Sequence, residues 1–232
     1  MPIHEKLVVR ERTPLEIILY AIYLYLSGLS LRQTARVLAS IGVERSHEAV
    51  RLWVHKLGKL AVKLISREKA RTAVVDETVI NVGGERVWLW VAIDPERRAI
   101  LALYLSYTRN TLVAYSLLHE LKKRGVKCVV ADGANWYPIA ARWARIEHKV
   151  VRGGVRSYVE RFICAVKDRL RGFDAYFPSP KKLLCSALRL IYAWACFYNY
   201  ARIHLSFGEP PKPIPGSTEL ERLKTIVKGG LT

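Results

Sequence analysis

No run of apolar residues in this chain reaches the roughly 18–20 positions that a membrane helix needs. The longest candidate, Ile17 to Leu29, falls short and follows a charged segment. The opening residues, MPIHEKLVVRERT, lack the layout of a secretory signal, so the expected location is cytoplasmic, with no membrane partner. Cysteine is scarce. Cys128, Cys164, Cys185 and Cys196 form no CxxC pair, which argues against a zinc site, and they read as buried free thiols in a reducing compartment. Acidic residues are also few: 20 Asp and Glu against 38 Lys and Arg leave a net charge of +18. The basic residues run the length of the chain, so the folded surface itself is expected to be positive. That points to nucleic acid ahead of an anionic membrane, although charge alone does not choose an activity. No internal repeat and no low-complexity segment interrupts the 232 residues, and a hydrophobic fraction of 51% is enough for a sizeable core.

What is present divides by period. Residues 13 to 58 carry helical patterns only. Thr13 before Pro14 reads as an N-cap with proline in the first helical position, and the largely apolar stretch after it ends at Gly28. Ser30 to Gln33 forms a capping box, Ile41-Gly42-Val43 a turn, and Ser46 caps a third helix through about Leu57. Two short helices about a glycine turn make a helix-turn-helix. Val50, Trp53, Val54 and Leu57 form the inward stripe of its second helix, and His47, Arg51, His55 and Lys56 are placed outward. Arg51, His55 and Lys56 are therefore candidate DNA contacts. Residues 59–71 look like a helical, charged connector.

From Thr72 the period becomes two. TAVVDETVINV, a Gly83-Gly84 turn, RVWLWVAID, a Pro95 to Arg98 turn and AILALYLS predict a three-stranded meander. A helix follows to Arg124, then a strand Val126 to Val130, a helix Pro138 to Arg145 and a strand Lys149 to Val151. After Gly153-Gly154 comes a helix carrying Glu160, and after a proline-containing loop at 177–182 a last long helix, 183–202. This order predicts an α/β fold: an RNase H-like catalytic core, a mixed five-stranded sheet with helices, preceded by the all-α region. The expected organisation is 1–58 DNA-binding, 59–71 connector, 72–205 catalytic, and 206–232 an irregular basic tail.

Three carboxylates stand out. Asp76 sits inside an apolar strand, an expensive place for an unpartnered charge. Asp132, at once followed by Gly133, ends another strand, and Glu160 lies early in its helix. Taken singly, each has an ordinary structural explanation as a turn, cap or dipole residue. Together they are the hard oxygen donors that Mg²⁺ prefers, and two such ions serve phosphodiester chemistry by assisting both the attacking and the leaving oxygen. Lys167, on the helix of Glu160 and two turns further on, shares its helical face. Trp136 and Tyr137 read as core aromatics, with base stacking as the other option.

The segments VVDETVINVGGERVWLWVAID, VVADGANWY and YVERF, with the later FYNYARIHLSFGEPPKP, resemble DDE transposases of the insertion-sequence-six group, from about residue 31 to 213. The resemblance implies a DNA-cutting and strand-joining enzyme whose catalytic and metal-binding triad is Asp76, Asp132 and Glu160. It implies two Mg²⁺ ions, with Mn²⁺ as a substitute, and a homodimer or larger assembly on element ends and target DNA. It also implies DNA contacts from Lys167 and Arg171. Tyr198, Asn199, Arg202 and His204 match the closing motif as bracing or phosphate-touching residues. Two features depart from the family pattern. The usual Asn residues before the Glu are replaced by Gly154 to Tyr158, and the spacing from Asp132 to Glu160 is shorter than in many members. The zinc finger of some relatives is not expected, because no Cys precedes Cys128. The alternative reading is a non-catalytic DNA-binding protein derived from a transposase.

Overall fold

The computed structural model describes residues 12–151, 156–169, 184–206 and 208–228. Arg171, the Gly153-Gly154 break and the 177–182 loop lie outside them. The chain divides into two units with boundaries between Val62 and Lys63 and between Leu188 and Arg189. No described helix is long and apolar enough to cross a membrane.

The sheet unit follows the expected order. Strands β1 (Thr72–Val82), β2 (Glu85–Ile93) and β3 (Ile100–Ser106) form the antiparallel meander, and β4 (Cys128–Ala131) and β5 (Glu147–Val150) add parallel strands to give the order β3-β2-β1-β4-β5. This is an RNase H-like sheet, preceded in the chain by helices. Gly83 and Gly84 both have positive φ, which the tight hairpin between β1 and β2 requires. One face of the sheet is covered by the helices that we number α4 (Thr111–Lys123) and α5 (Trp136–Ala144). Ala73, Val75, Val129 and Ala131 point into that core with Leu117, Leu118, Leu121, Tyr137 and Ala140. Val74 and Val130 point to the other face by the alternation of the strands. Helix α6 (Arg156–Arg169) packs on β1 and β2 through the stripe Val159, Phe162, Ile163 and Val166, all buried.

The helical unit holds α1 (Leu15–Leu26), α2 (Leu31–Ser40) and the first part of α3 (His47–Ile65). The capping box is formed: the Gln33 N–H donates to Ser30 Oγ at 3.1 Å, and the Ser30 N–H to Gln33 Oε1 at 2.9 Å. Gly42 takes positive φ in the turn, and Ser46 Oγ accepts from the Ala49 N–H at 3.2 Å. Val50, Trp53, Val54 and Leu57 are buried as expected.

Four expectations are corrected. Thr13 does not cap α1: Pro14 occupies the cap position, and the Thr13 hydroxyl accepts from Arg45 Nε at 2.7 Å. The third helix does not stop near Leu57 but runs on to Ile65, through Gly58. Glycine is needed there for close packing, because a Cβ would meet the Arg189 carbonyl oxygen at 2.1 Å. Residues beyond 205 are not irregular throughout. After α7 (Leu184–Cys196) and a π-helical turn (Phe197–Ala201) comes α8 (Glu219–Val227), capped by Thr218 and Glu221. Leu223, Ile226 and Val227 of α8 are buried in the helical unit, and Lys224 Nζ meets Glu16 of α1 at 3.1 Å. Finally, the cysteines are free, but Cys164 and Cys185 are exposed.

Candidate active site

The register of β1 with β4 decides where the two aspartates fall. Val74 pairs with Val130 in a parallel ladder. Asp132 directly follows β4, which ends at Ala131, at the same end of the parallel ladder as Asp76, and Asp76 lies two residues beyond Val74 on the same face of the sheet. This is the face on which α6 packs. Each carboxylate is oriented by a backbone donor: Asp76 Oδ1 accepts from the Glu77 N–H at 3.0 Å, and Asp132 Oδ1 from the Ala134 N–H at 3.0 Å. Asp76 is buried and Asp132 half-buried.

Helix α6, which packs on β1, carries Glu160. Lys167 Nζ donates to Thr78 Oγ1 at 3.1 Å, two residues past Asp76 on the same strand face. Arg98, in the turn that leaves β2, lies over the Tyr158 ring at 4.6 Å, so α6 runs alongside β1 in the same direction. Seven helical residues back from Lys167 is about 10 Å, and two strand residues back from Thr78 about 7 Å. Glu160 therefore comes close to the level of Asp76. Its side chain is exposed on the flank of the helix, and among the described residues no three His, Cys, Asp or Glu side chains are gathered closely enough to hold a metal ion. Asp76 and Asp132 have the chemistry of ligands for a hard divalent cation, and Glu160, on the helix packed against β1, does not close a cluster with them.

The opposite face holds what the sequence did not announce. Glu77, adjacent to Asp76 and pointing the other way, has a fully buried side chain. Arg109 donates to its Oε1 from Nε and from Nη2, both at 2.8 Å, and the Tyr137 hydroxyl donates to its Oε2. The Arg109 guanidinium is itself held between the rings of Trp136 at 4.2 Å and Trp88 at 4.6 Å. Burial pushes the Glu77 carboxyl up from its ordinary range, while the Tyr137 hydrogen bond and the Arg109 charge pull it down. Burial, then the Glu77 charge, drives the Tyr137 phenol well above its usual range. Tyr137 is fully buried, as expected of a core aromatic, and stacks on His148 with ring centroids 6.3 Å apart. The only sequence signal for this network was a carboxylate at an inward-facing strand position.

In the helical unit the expected DNA contacts separate. Arg51 is half-exposed and bonded to Glu48, with Nε 2.8 Å from Oε2, and Lys56 is also half-exposed. His55 is a correction. It is buried at 8% exposure, and burial first, then the charges of Arg51 and Arg189, lowers its pKa to about 4. His55 is thus a neutral core residue, because α3 continues past it and α7 closes on Gly58. In the closing motif, Asn199 is wholly buried, and the Tyr198 ring meets His204 edge-on at 4.3 Å.

The family match supports an enzyme of the polynucleotidyl transferase type, and the chain belongs to the insertion-sequence-six family of DDE transposases. A profile of the DDE domain of IS240 transposases matches residues 70–161, a span that includes Asp76, Asp132 and Glu160. An uncharacterised protein of Methanocaldococcus jannaschii is 32% identical over 202 residues, covering 86% of this chain and 93% of its own length. Among solved structures, a chain of the simian T-cell lymphotropic virus intasome is similar at 16% identity and TM-score 0.48. That match covers 65% of this chain and 59% of that one, so the chain spans about three fifths of its length. The catalytic core of BIV integrase is similar at 16% identity and TM-score 0.44, over 61% of this chain and 91% of that one. The HTLV-2 integrase core in complex with magnesium is similar at 12% identity and TM-score 0.44, over 62% and 95%.

Proposed function

We propose that this transposase-type enzyme nicks the ends of its insertion sequence and joins the freed 3′-OH to target DNA, with Asp76, Asp132 and Glu160 as catalytic residues. The observation that supports this reading is the parallel pairing of β1 with β4, at whose far end both Asp76 and Asp132 follow, together with the packing of α6, the helix of Glu160, on β1. These three carboxylates would hold Mg²⁺, or Mn²⁺ in its place. Such ions, when bound, make an oxygen nucleophile available at neutral pH and offset charge on the leaving oxygen.

The chain's own groups position the reactants. The N–H groups of Glu77 and Ala134 hold the two aspartates in fixed orientation, so little reorganisation accompanies binding. Arg51 and Lys56 on the second helix of the helix-turn-helix contact the element end, and Lys167 meets phosphate near the cut. Arg171 is proposed for the same role on the family resemblance alone. His55 is withdrawn from this set because it is buried. Two DNA ends must be brought together, so a dimer or larger assembly on DNA in the cytoplasm is expected.

The test is a labelled duplex carrying an element end, incubated with Mg²⁺ or Mn²⁺ and wild type, Asp132→Asn or Glu160→Gln. Nicked and joined products from wild type alone, with DNA binding retained by both variants, support the reading. Nicking without joining would make the protein a nuclease. Binding without cleavage would leave a DNA-binding relic of a transposase.

A further inference from the structure

Asp76 stands in β1 and Asp132 just past the end of the adjacent β4, and a second connection passes between them through the sheet. Asp76 Oδ1 accepts from the Glu77 N–H at 3.0 Å. The Glu77 side chain crosses to the opposite face, where Oε2 accepts from the Tyr137 hydroxyl. The Tyr137 N–H donates to the Ala134 carbonyl at 3.2 Å, and the Ala134 N–H donates to Asp132 Oδ1 at 3.0 Å. The path from one aspartate to the other is therefore closed by hydrogen bonds and short covalent links. Arg109 keeps it taut: its guanidinium bonds Glu77 Oε1 and is clamped by Trp88 and by Trp136, the residue just before Tyr137.

A buried carboxylate is costly, and an apolar residue at position 77 would serve the core at least as well. What Glu77 adds is direction. A carboxylate held from two sides fixes the β1 backbone at the residue that orients Asp76, and Tyr137 fixes the first turn of α5, which orients Asp132. Resting on the function proposed above, we infer that Glu77 and Tyr137 are positioning residues. They set the spacing of the two aspartates that take the divalent cation, and they touch neither cation nor DNA.

The experiment uses the full chain with Glu77→Gln, Tyr137→Phe and the double variant. Mn²⁺ binding without DNA is followed by the electron paramagnetic resonance signal of the free ion, and nicking and joining are assayed on the labelled duplex. Groups behind metal ligands change affinity or activity by about 10–100-fold. Tyr137→Phe, which removes one oxygen and keeps the ring, is expected to weaken Mn²⁺ binding about tenfold and to lower turnover similarly, with DNA affinity unchanged. Glu77→Gln should match it, and the double variant should be no worse than the more impaired single variant, because all three break one path. Where Glu77→Gln does not fold, Tyr137→Phe carries the test alone. Unchanged Mn²⁺ affinity in a folded Tyr137→Phe would overturn the inference, as would losses that multiply in the double variant. Wild type that binds Mn²⁺ without cutting DNA would end the function proposed above. Weaker Mn²⁺ binding by the variants would still support the positioning role.

Discussion

The two faces of the central sheet treat adjacent carboxylates in opposite ways. On one face stands Asp76, with Asp132 just past the end of the neighbouring strand, each oriented by a backbone N–H in its own turn of chain and Glu160 exposed on the helix alongside. On the other face the Glu77 side chain has no exposed surface and is saturated by Arg109 and Tyr137. Like charges gathered beside one another oppose folding, whereas a buried charge with a full set of partners resists any change to them. On the function and the positioning role proposed above, one face keeps its carboxylates for a ligand and the other uses its carboxylate to hold the first in place. Removing a carboxylate on the first face should therefore cost activity without stability, whereas removing a group on the second should cost stability and, through the position of the aspartates, part of the activity.

The largest effect is expected from Asp132→Asn. Nicking and joining should fall by about a thousandfold or more, while the unfolding midpoint stays the same or rises as repulsion with Asp76 is relieved. A midpoint that drops with activity would break the contrast between the faces. Arg109→Ala should do the reverse first. Leaving Glu77 buried without its cation is expected to cost about 2–4 kcal/mol in urea unfolding, below the top of the range for buried pairs because Arg109 is 34% exposed. Arg109→Lys should recover only part, since a point charge replaces a fork held between two rings.

The helical unit offers a parallel test with another buried ionisable group. His55 titrates near 4 when folded and near 6.5 when unfolded, so the unfolded chain binds the extra proton between those values. The stability that neutral His55 permits is present above pH 6.5 and lost as the pH falls through about 4. After allowance for solvent screening it amounts to about 2 kcal/mol. Denaturant titrations of wild type and His55→Gln at pH 7 and pH 4 should show it as a wild-type advantage that shrinks on acidification. The smallest effect is expected from Lys167→Ala. Loss of its bond to Thr78 should cost about 0.5–1 kcal/mol, and DNA affinity should fall a few-fold with a shallower salt dependence. An unchanged salt slope would remove Lys167 from the DNA-facing set.

Much of this was readable from period and punctuation. The strand alternation, the Gly83-Gly84 hairpin, the Ser30 capping box and the stripe from Val50 to Leu57 are local patterns, and each formed as expected. The three carboxylates stood out because a charge in an apolar strand and an Asp-Gly at a strand end are local anomalies. The errors came where distant chain decides. The helical pattern after Lys59 was legible, but not that it joins α3 without a break, because Gly58 answers to the backbone of Arg189, far along the chain. His55 has the look of an outward residue until its own unit packs around it. Thr13 has a good cap position in front of Pro14, but Arg45 takes its hydroxyl.

The sequence by itself determined the order of elements, the nature of the candidate ligands and the positive charge that suits DNA, since all three depend on residue type and short-range spacing. Tertiary structure alone decided that Asp76 and Asp132 come to the same end of one ladder, because the pairing of β1 with β4 joins strands that two further strands and a helix separate in the chain. It also decided that Glu77 and Tyr137, remote from one another in sequence, share a hydrogen bond. A period of two says which face a side chain takes; only the register of the folded sheet says what it finds there.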